Sequence, residues 1–124
     1  MTMEECYRNL GGDFDQVKQR LMSISLIERF IAKFLEDDSY SQLCHAMQAG
    51  ERKEAFRAAH TLKGVSANLG FGKLLASAGQ LTEALRPETD VISQEAAALM
   101  EEVRRDYDAT VRIIHSYLEA GDRA

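Results

Sequence analysis

Apolar residues recur along this chain at spacings of three and four, and no stretch alternates at period two, so the pattern predicts helices and no strands. A short helix is expected over about 3–9, stopped by the Gly11-Gly12 pair. Asp13 then reads as the N-cap of a helix over about 14–21. A third helix, capped by Ser23 or Ser25, runs to about 36, with Leu26, Ile27, Phe30, Ile31, Phe34 and Leu35 as a wide inward stripe. Asp38 or Ser39 opens a fourth over about 40–49, which turns Leu43, Cys44 and Met47 inward and ends at Gly50.

Longer helices follow. Lys53 to Leu69 forms one, ended by Gly70, and Gly72 to Arg86 the next, with Leu74, Leu75, Ala78, Leu81 and Leu85 inward and Pro87 as terminator. The last spans about Ser93 to Leu118, with Leu99, Val103, Tyr107, Thr110, Val111 and Ile114 inward. Short connections make successive long helices antiparallel neighbours. The expected fold is therefore all-α: an up-and-down four-helix bundle over about 38–119. Additional short N-terminal helices, about 3–36, would cover one end or flank of the same single domain, 1–124.

Composition narrows the function. Hydrophobic residues make up 45% and charged residues 28%, enough for a core and a solvated surface. The net charge of -5 lacks the basic footprint of a nucleic-acid reader. Cys6 and Cys44 lie far apart in no metal-like spacing, and Cys44, inside an amphipathic stretch, is expected to be a buried free thiol. The opening MTMEECYRNL has no secretory character, and no apolar run nears the roughly 20 residues that span a bilayer. A cytoplasmic monomer, with neither nucleic acid nor membrane as partner, is the expectation.

The segment that carries chemistry is Glu54 to Gly70, EAFRAAHTLKGVSANLG. At about 100° per residue its apolar face collects Ala55, Ala58, Leu62, Val65 and Leu69, which leaves His60 nearly opposite and exposed. Phe56, Arg57, Lys63, Gly64 and Ala67 share its side. Gly64, four residues on, sits in mid-helix, where glycine costs about 1 kcal/mol relative to alanine. Bare backbone there lets something bulky approach the ring. Lys63 supplies a cation suited to a phosphoryl group, and Phe56 and Ala67 add apolar surface for docking. No carboxylate lies three or four residues from His60, so no general base is at hand. That suits a nucleophile receiving a ready-made phosphoryl group better than it suits a hydrolase.

The run His60-Thr61-Leu62-Lys63-Gly64-Val65-Ser66-Ala67-Asn68-Leu69-Gly70, preceded by Ala58-Ala59, resembles the histidine-containing phosphotransfer (HPt) domain family and its H-x-L-K-G-x-[SA]-x-x-[LI]-G pattern. The likeness is strong from about 51 to 86 and compatible elsewhere. It implies a four-helix bundle with His60 phosphorylated on its outward nitrogen, by analogy Nε2. Aspartates of receiver domains would be donor and acceptor, or a histidine kinase the donor. Lys63 would assist electrostatically and Gly64 would clear the approach. Magnesium and catalytic acids would belong to the receiver, so no cofactor is called for and the chain is not itself an enzyme. Phe56, Arg57, Ala67, Asn68 and Thr82 are the candidates for receiver docking or imidazole contact.

One position departs from the family. Many members carry a glutamine 22 residues after the histidine, contacting the imidazole; Thr82 stands there, with Gln80 about 200° around the same helix. Two other readings compete. A helical adaptor that keeps only the fold would have no reason to hold His60, Lys63 and Gly64 together. A kinase phosphoacceptor domain usually has an acidic residue directly after the histidine, where Thr61 stands. His45 and His115 lack phosphate-handling neighbours and read as surface or structural residues. No pair of the three histidines has metal spacing. Gly70-x-Gly72 reads as a helix-helix turn.

Overall fold

The computed structural model describes residues 1–122, and among these every regular element is a helix. In chain order they are α1 (Met3–Leu10), α2 (Phe14–Leu21), α3 (Ile24–Phe34), α4 (Ser39–Ala49), α5 (Arg52–Leu69), α6 (Gly72–Leu85) and α7 (Gln94–Ala120). The caps explain the boundaries. Asp13 accepts from the backbone N–H groups of Asp15 and Gln16, Ser23 from Leu26, and Ser93 from Ala96. Gly11, Gly50 and Gly70 end α1, α4 and α5 in the left-handed conformation. At α4 neither expected cap acts through its side chain; Asp37 accepts from the Ser39 N–H at 2.9 Å instead.

Helices α4 to α7 form the up-and-down bundle, with α5 packed between α4 and α6, and α6 on α7. Stacked rings of Tyr40 and Tyr107, centroids 3.8 Å apart, join α4 to α7. The N-terminal helices cover the rest: α1 packs on α7 and α6, α2 on α3, and α3 on α7 and α5. The α5–α6 turn is the seam between the two parts. A side chain on Gly12 would collide with the Gly70 carbonyl, and one on Gly72 with the Gly11 carbonyl. Backbone-to-backbone packing of this kind needs glycine on both loops.

Several faces turn differently from the sequence pattern. Phe30 is 39% exposed, because α3 buries only Ile27, Ile31 and Phe34; the wide stripe exceeds the core available to it. On α5 the buried line runs through Ala55, Ala58, Ala59, Leu62, Ser66 and Leu69, leaving Val65 half-buried. On α7 the buried line is Ala96, Met100, Val103, Thr110, Ile114 and Tyr117, with Leu99, Tyr107 and Val111 only half-buried. Cys44 is half-buried, not buried; Cys6 is the deeply buried thiol, and both are free. Arg86 falls just outside α6 as its C-cap, directly before Pro87. No helix is long and apolar enough to cross a membrane among the described residues.

Candidate functional site

His60 lies near the middle of α5 and is exposed, while Ala59 and Leu62 beside it are fully buried. Helical phase thus fixes the core side and leaves the imidazole on the outside. It lines neither of the two open grooves of about 760 and 750 Å³, so the site is a convex helix surface rather than a cleft. Such a surface offers reach to a partner and no enclosure for a small substrate.

One turn before His60 stands Phe56, half-buried rather than exposed, its ring parallel to the imidazole within 11° at a centroid distance of 6.0 Å. The Arg86 guanidinium, from the end of α6, lies 5.2 Å from the Phe56 centroid, within cation–π range. One turn after His60, the Lys63 stem crosses α6 at Gly79, where a Cβ would lie 3.9 Å from its Cδ and Cε. The apolar stem packs against the neighbouring helix and leaves the ammonium for solvent.

The polar neighbours are committed elsewhere. Arg57 pairs with Glu54 at 3.2 Å, Arg86 with Glu83 at 2.8 Å, and the Thr61 hydroxyl donates to the Arg57 carbonyl. Lys63 has no carboxylate partner among the described residues. Lys63 is therefore an unpaired cation beside His60 in a protein whose net charge is -5. Gly64 meets nothing: a Cβ built there finds no atom within 4 Å. Packing within this chain gives no reason for the glycine, in contrast to Gly12 and Gly72.

Thr82 corrects the expectation placed on it. It is fully buried, and its hydroxyl donates to the Ala78 carbonyl at 2.7 Å, so it is neither a surface for docking nor a free donor for the imidazole. The physical reason is the phase of α6: the helix turns Ala78, Leu81, Thr82 and Leu85 inward together, and Gln80 and Glu83 outward. Arg57 and Asn68 are exposed on α5 and Ala67 is half-buried. Arg20 reaches over from α2 and donates to the Asn68 carbonyl at 3.1 Å and the Ala67 carbonyl at 3.4 Å, closing the free end of α5.

Sequence reasoning missed two neighbours of the site, Arg86 and Gly79. Both come from α6, whose register against α5 no local spacing encodes. Phe30 lines the groove of about 760 Å³ together with Leu21, Val65 and Asn68. Met22, which follows Leu21 in sequence, is 79% exposed and holds φ at +76°, an uncommon backbone for a residue with a side chain. His45 and His115 are exposed, on α4 and α7.

A family model described as Hpt domain matches residues 25–116 of the chain. Comparison with curated proteins and with solved structures returned no significant match.

Proposed function

The chain belongs to the Hpt domain family, and from that premise we propose that it is a histidine phosphotransfer protein of a two-component phosphorelay, with His60 as the residue that accepts and passes on the phosphoryl group. The donor and acceptor are aspartates of receiver domains, with a histidine kinase as an alternative donor. The protein works in the cytoplasm as a monomer and brings no cofactor. What carries the reading is the conjunction at mid-α5: an exposed imidazole, an uncommitted Lys63 one turn on, and open space at Gly64.

The chemistry follows from those groups. The Nε2 lone pair of the neutral imidazole forms the N–P bond as the acyl-phosphate P–O bond of the receiver breaks. The electron pair leaves with the aspartate carboxylate. The proton on Nδ1 stays on the ring, so the product is a phosphoimidazolium whose positive charge offsets part of the phosphoryl charge. Lys63 offsets more of it, most strongly in the transition state, where charge spreads over the equatorial oxygens. Gly64 leaves room for the receiver's backbone. Arg57, Ala67 and Asn68, with Phe56, give the receiver a mixed polar and apolar footing.

Incubation with receiver domains charged by acetyl phosphate, and with histidine kinases and ATP, tests this. The protein should gain acid-labile, alkali-stable phosphate, and His60→Gln should gain none. Phosphate on the His60→Gln protein overturns the assignment to His60. Absence of phosphate on both proteins across a broad panel overturns the carrier reading and leaves a helical adaptor.

A further inference from the structure

The imidazole of His60 has no hydrogen-bond partner among the described residues: Arg57 bonds to Glu54, the Thr61 hydroxyl to the Arg57 carbonyl, and the buried Thr82 hydroxyl of α6 to the Ala78 carbonyl. Yet a nucleophilic ring needs a defined plane. Both nitrogen lone pairs and N–H bonds lie in the plane of the ring, so the plane sets the line along which phosphorus must approach. Something other than a hydrogen bond has to set it here.

We propose that Phe56, steadied by Arg86, is the positioning residue for the His60 ring. The proposal rests on the phosphocarrier reading of His60. Phe56 is the group the other two share: the imidazole lies beside its ring on α5, and the Arg86 guanidinium reaches the same ring from the C-cap of α6. The Phe56 and His60 rings are parallel within 11° at 6.0 Å, inside the range where offset aromatic pairs attract. Rotation of the imidazole about its last torsion would break that parallel contact. The guanidinium carbon of Arg86 sits 5.2 Å from the Phe56 centroid and fixes the ring in turn.

Arg86 is exposed, and its local contacts bias its position over Phe56. Its Nε donates to Glu83 Oε2 at 2.8 Å, its backbone N–H donates to the Glu83 carbonyl at 3.3 Å, and Pro87 restricts the chain directly after it. Phe56 is half-buried and packs against the core cluster. The ring is thus held by the core and by Arg86 while it lies parallel to the imidazole. An aromatic stack on α5, clamped from α6, takes over the orienting role left vacant by the inward turn of Thr82.

The test separates positioning from docking. The receiver domain that charges wild-type His60 fastest is loaded with acetyl phosphate, and single-turnover transfer is followed against receiver concentration. Phe56→Leu should lower the saturated rate about fivefold, whatever change its loss from the receiver's footing brings to the half-saturating concentration. Phe56→Tyr should recover most of the rate. Arg86→Gln should lower the saturated rate in the same way, and Arg86→Lys, which keeps the charge but not the planar fork, should recover only part of it; both change an exposed side chain.

In the unphosphorylated protein, the imidazole carbon-bound proton signals of His60 should move in Arg86→Gln, while those of His45 and His115 stay. Saturated rates equal to wild type in Phe56→Leu and Arg86→Gln overturn the proposal. So does an effect confined to the half-saturating concentration, which makes Phe56 a docking residue. If no donor charges the wild-type protein, the carrier reading fails, and the imidazole signals decide the stack alone: unmoved in Arg86→Gln, it is overturned; moved, it stands.

Discussion

The hydroxyl of Tyr7 donates to the carbonyl oxygen of Leu69 at 2.7 Å, a buried bond between residues 62 apart in sequence. Leu69 is the last residue of α5, so that carbonyl has no partner within its own helix. Arg20 donates to the preceding two carbonyls, Asn68 and Ala67, in exposed bonds, the Ala67 carbonyl also accepting from the Gly70 N–H. The N-terminal helices therefore finish the helix that carries His60. Residues 1–24, outside the family match at 25–116, serve as its C-terminal cap.

Tyr7→Phe should accordingly lower stability by about 1–2 kcal/mol, the cost of leaving a buried carbonyl unpaired. Urea unfolding of both proteins measures it, read at constant m. An unchanged midpoint would mean that water replaces the hydroxyl at the α5 end.

Alkaline pH should destabilise the protein ahead of general base unfolding. Burial raises the Cys6 thiol from 9.0 to about 11, partly offset by the terminal amino group. Burial also raises Tyr7, and burial with the Glu28 carboxylate bond raises Tyr117. Each of these groups is neutral when protonated and holds its proton more tightly folded than unfolded. The unfolded chain thus loses protons first, and stability falls as pH climbs from about 9 through about 11. Melting temperatures between pH 7 and 10.5 should be level at first and then decline, and Cys6→Ala should flatten part of the decline. A rise in that interval would contradict the burial argument.

Much of this architecture is legible in the sequence because helical period and glycine punctuation are local signals. Asp13, Ser23, Gly50, Gly70 and Pro87 mark ends that the structure reproduces within one or two residues. The placement of His60, Lys63 and Gly64 on one side of α5 is legible for the same reason: their relation is a matter of one turn on one helix. What escaped depends on two helices meeting. Val65 was expected inside and Ser66 was not, because a single helix does not fix which edge of its apolar arc its neighbours cover. Thr82 and Arg86 were misjudged or missed because the register of α6 on α5 decides whether each faces core, solvent or Phe56. Phe30 and Met22 became exposed through the same kind of tertiary choice.

Ser66 offers a direct check on that rotated face. Its hydroxyl is fully buried and has no hydrogen-bond partner among the described residues. An unpaired buried hydroxyl is unfavourable, so Ser66→Ala should raise stability by about 1 kcal/mol. The same urea titration reads it, and a loss of stability would show that the hydroxyl finds a partner in solution.

Gly64 separates stability from function most sharply. Alanine there meets no atom of this chain within 4 Å and removes a mid-helix glycine, so Gly64→Ala should stabilise the fold by about 1 kcal/mol. The open space, however, lies one turn from the imidazole, where the proposed phosphotransfer would bring the receiver's backbone close. Phosphotransfer to Gly64→Ala should slow about tenfold, and Gly64→Leu should slow further, while both proteins melt no lower than wild type. Thermal melts and single-turnover transfer on the same preparations give the two axes. A variant that gains stability and keeps its rate would remove the steric role of the glycine. A variant that loses both would mean that the backbone at Gly64 has a conformation alanine does not share. Opposite movement on the two axes is what a helix position kept bare for a partner requires.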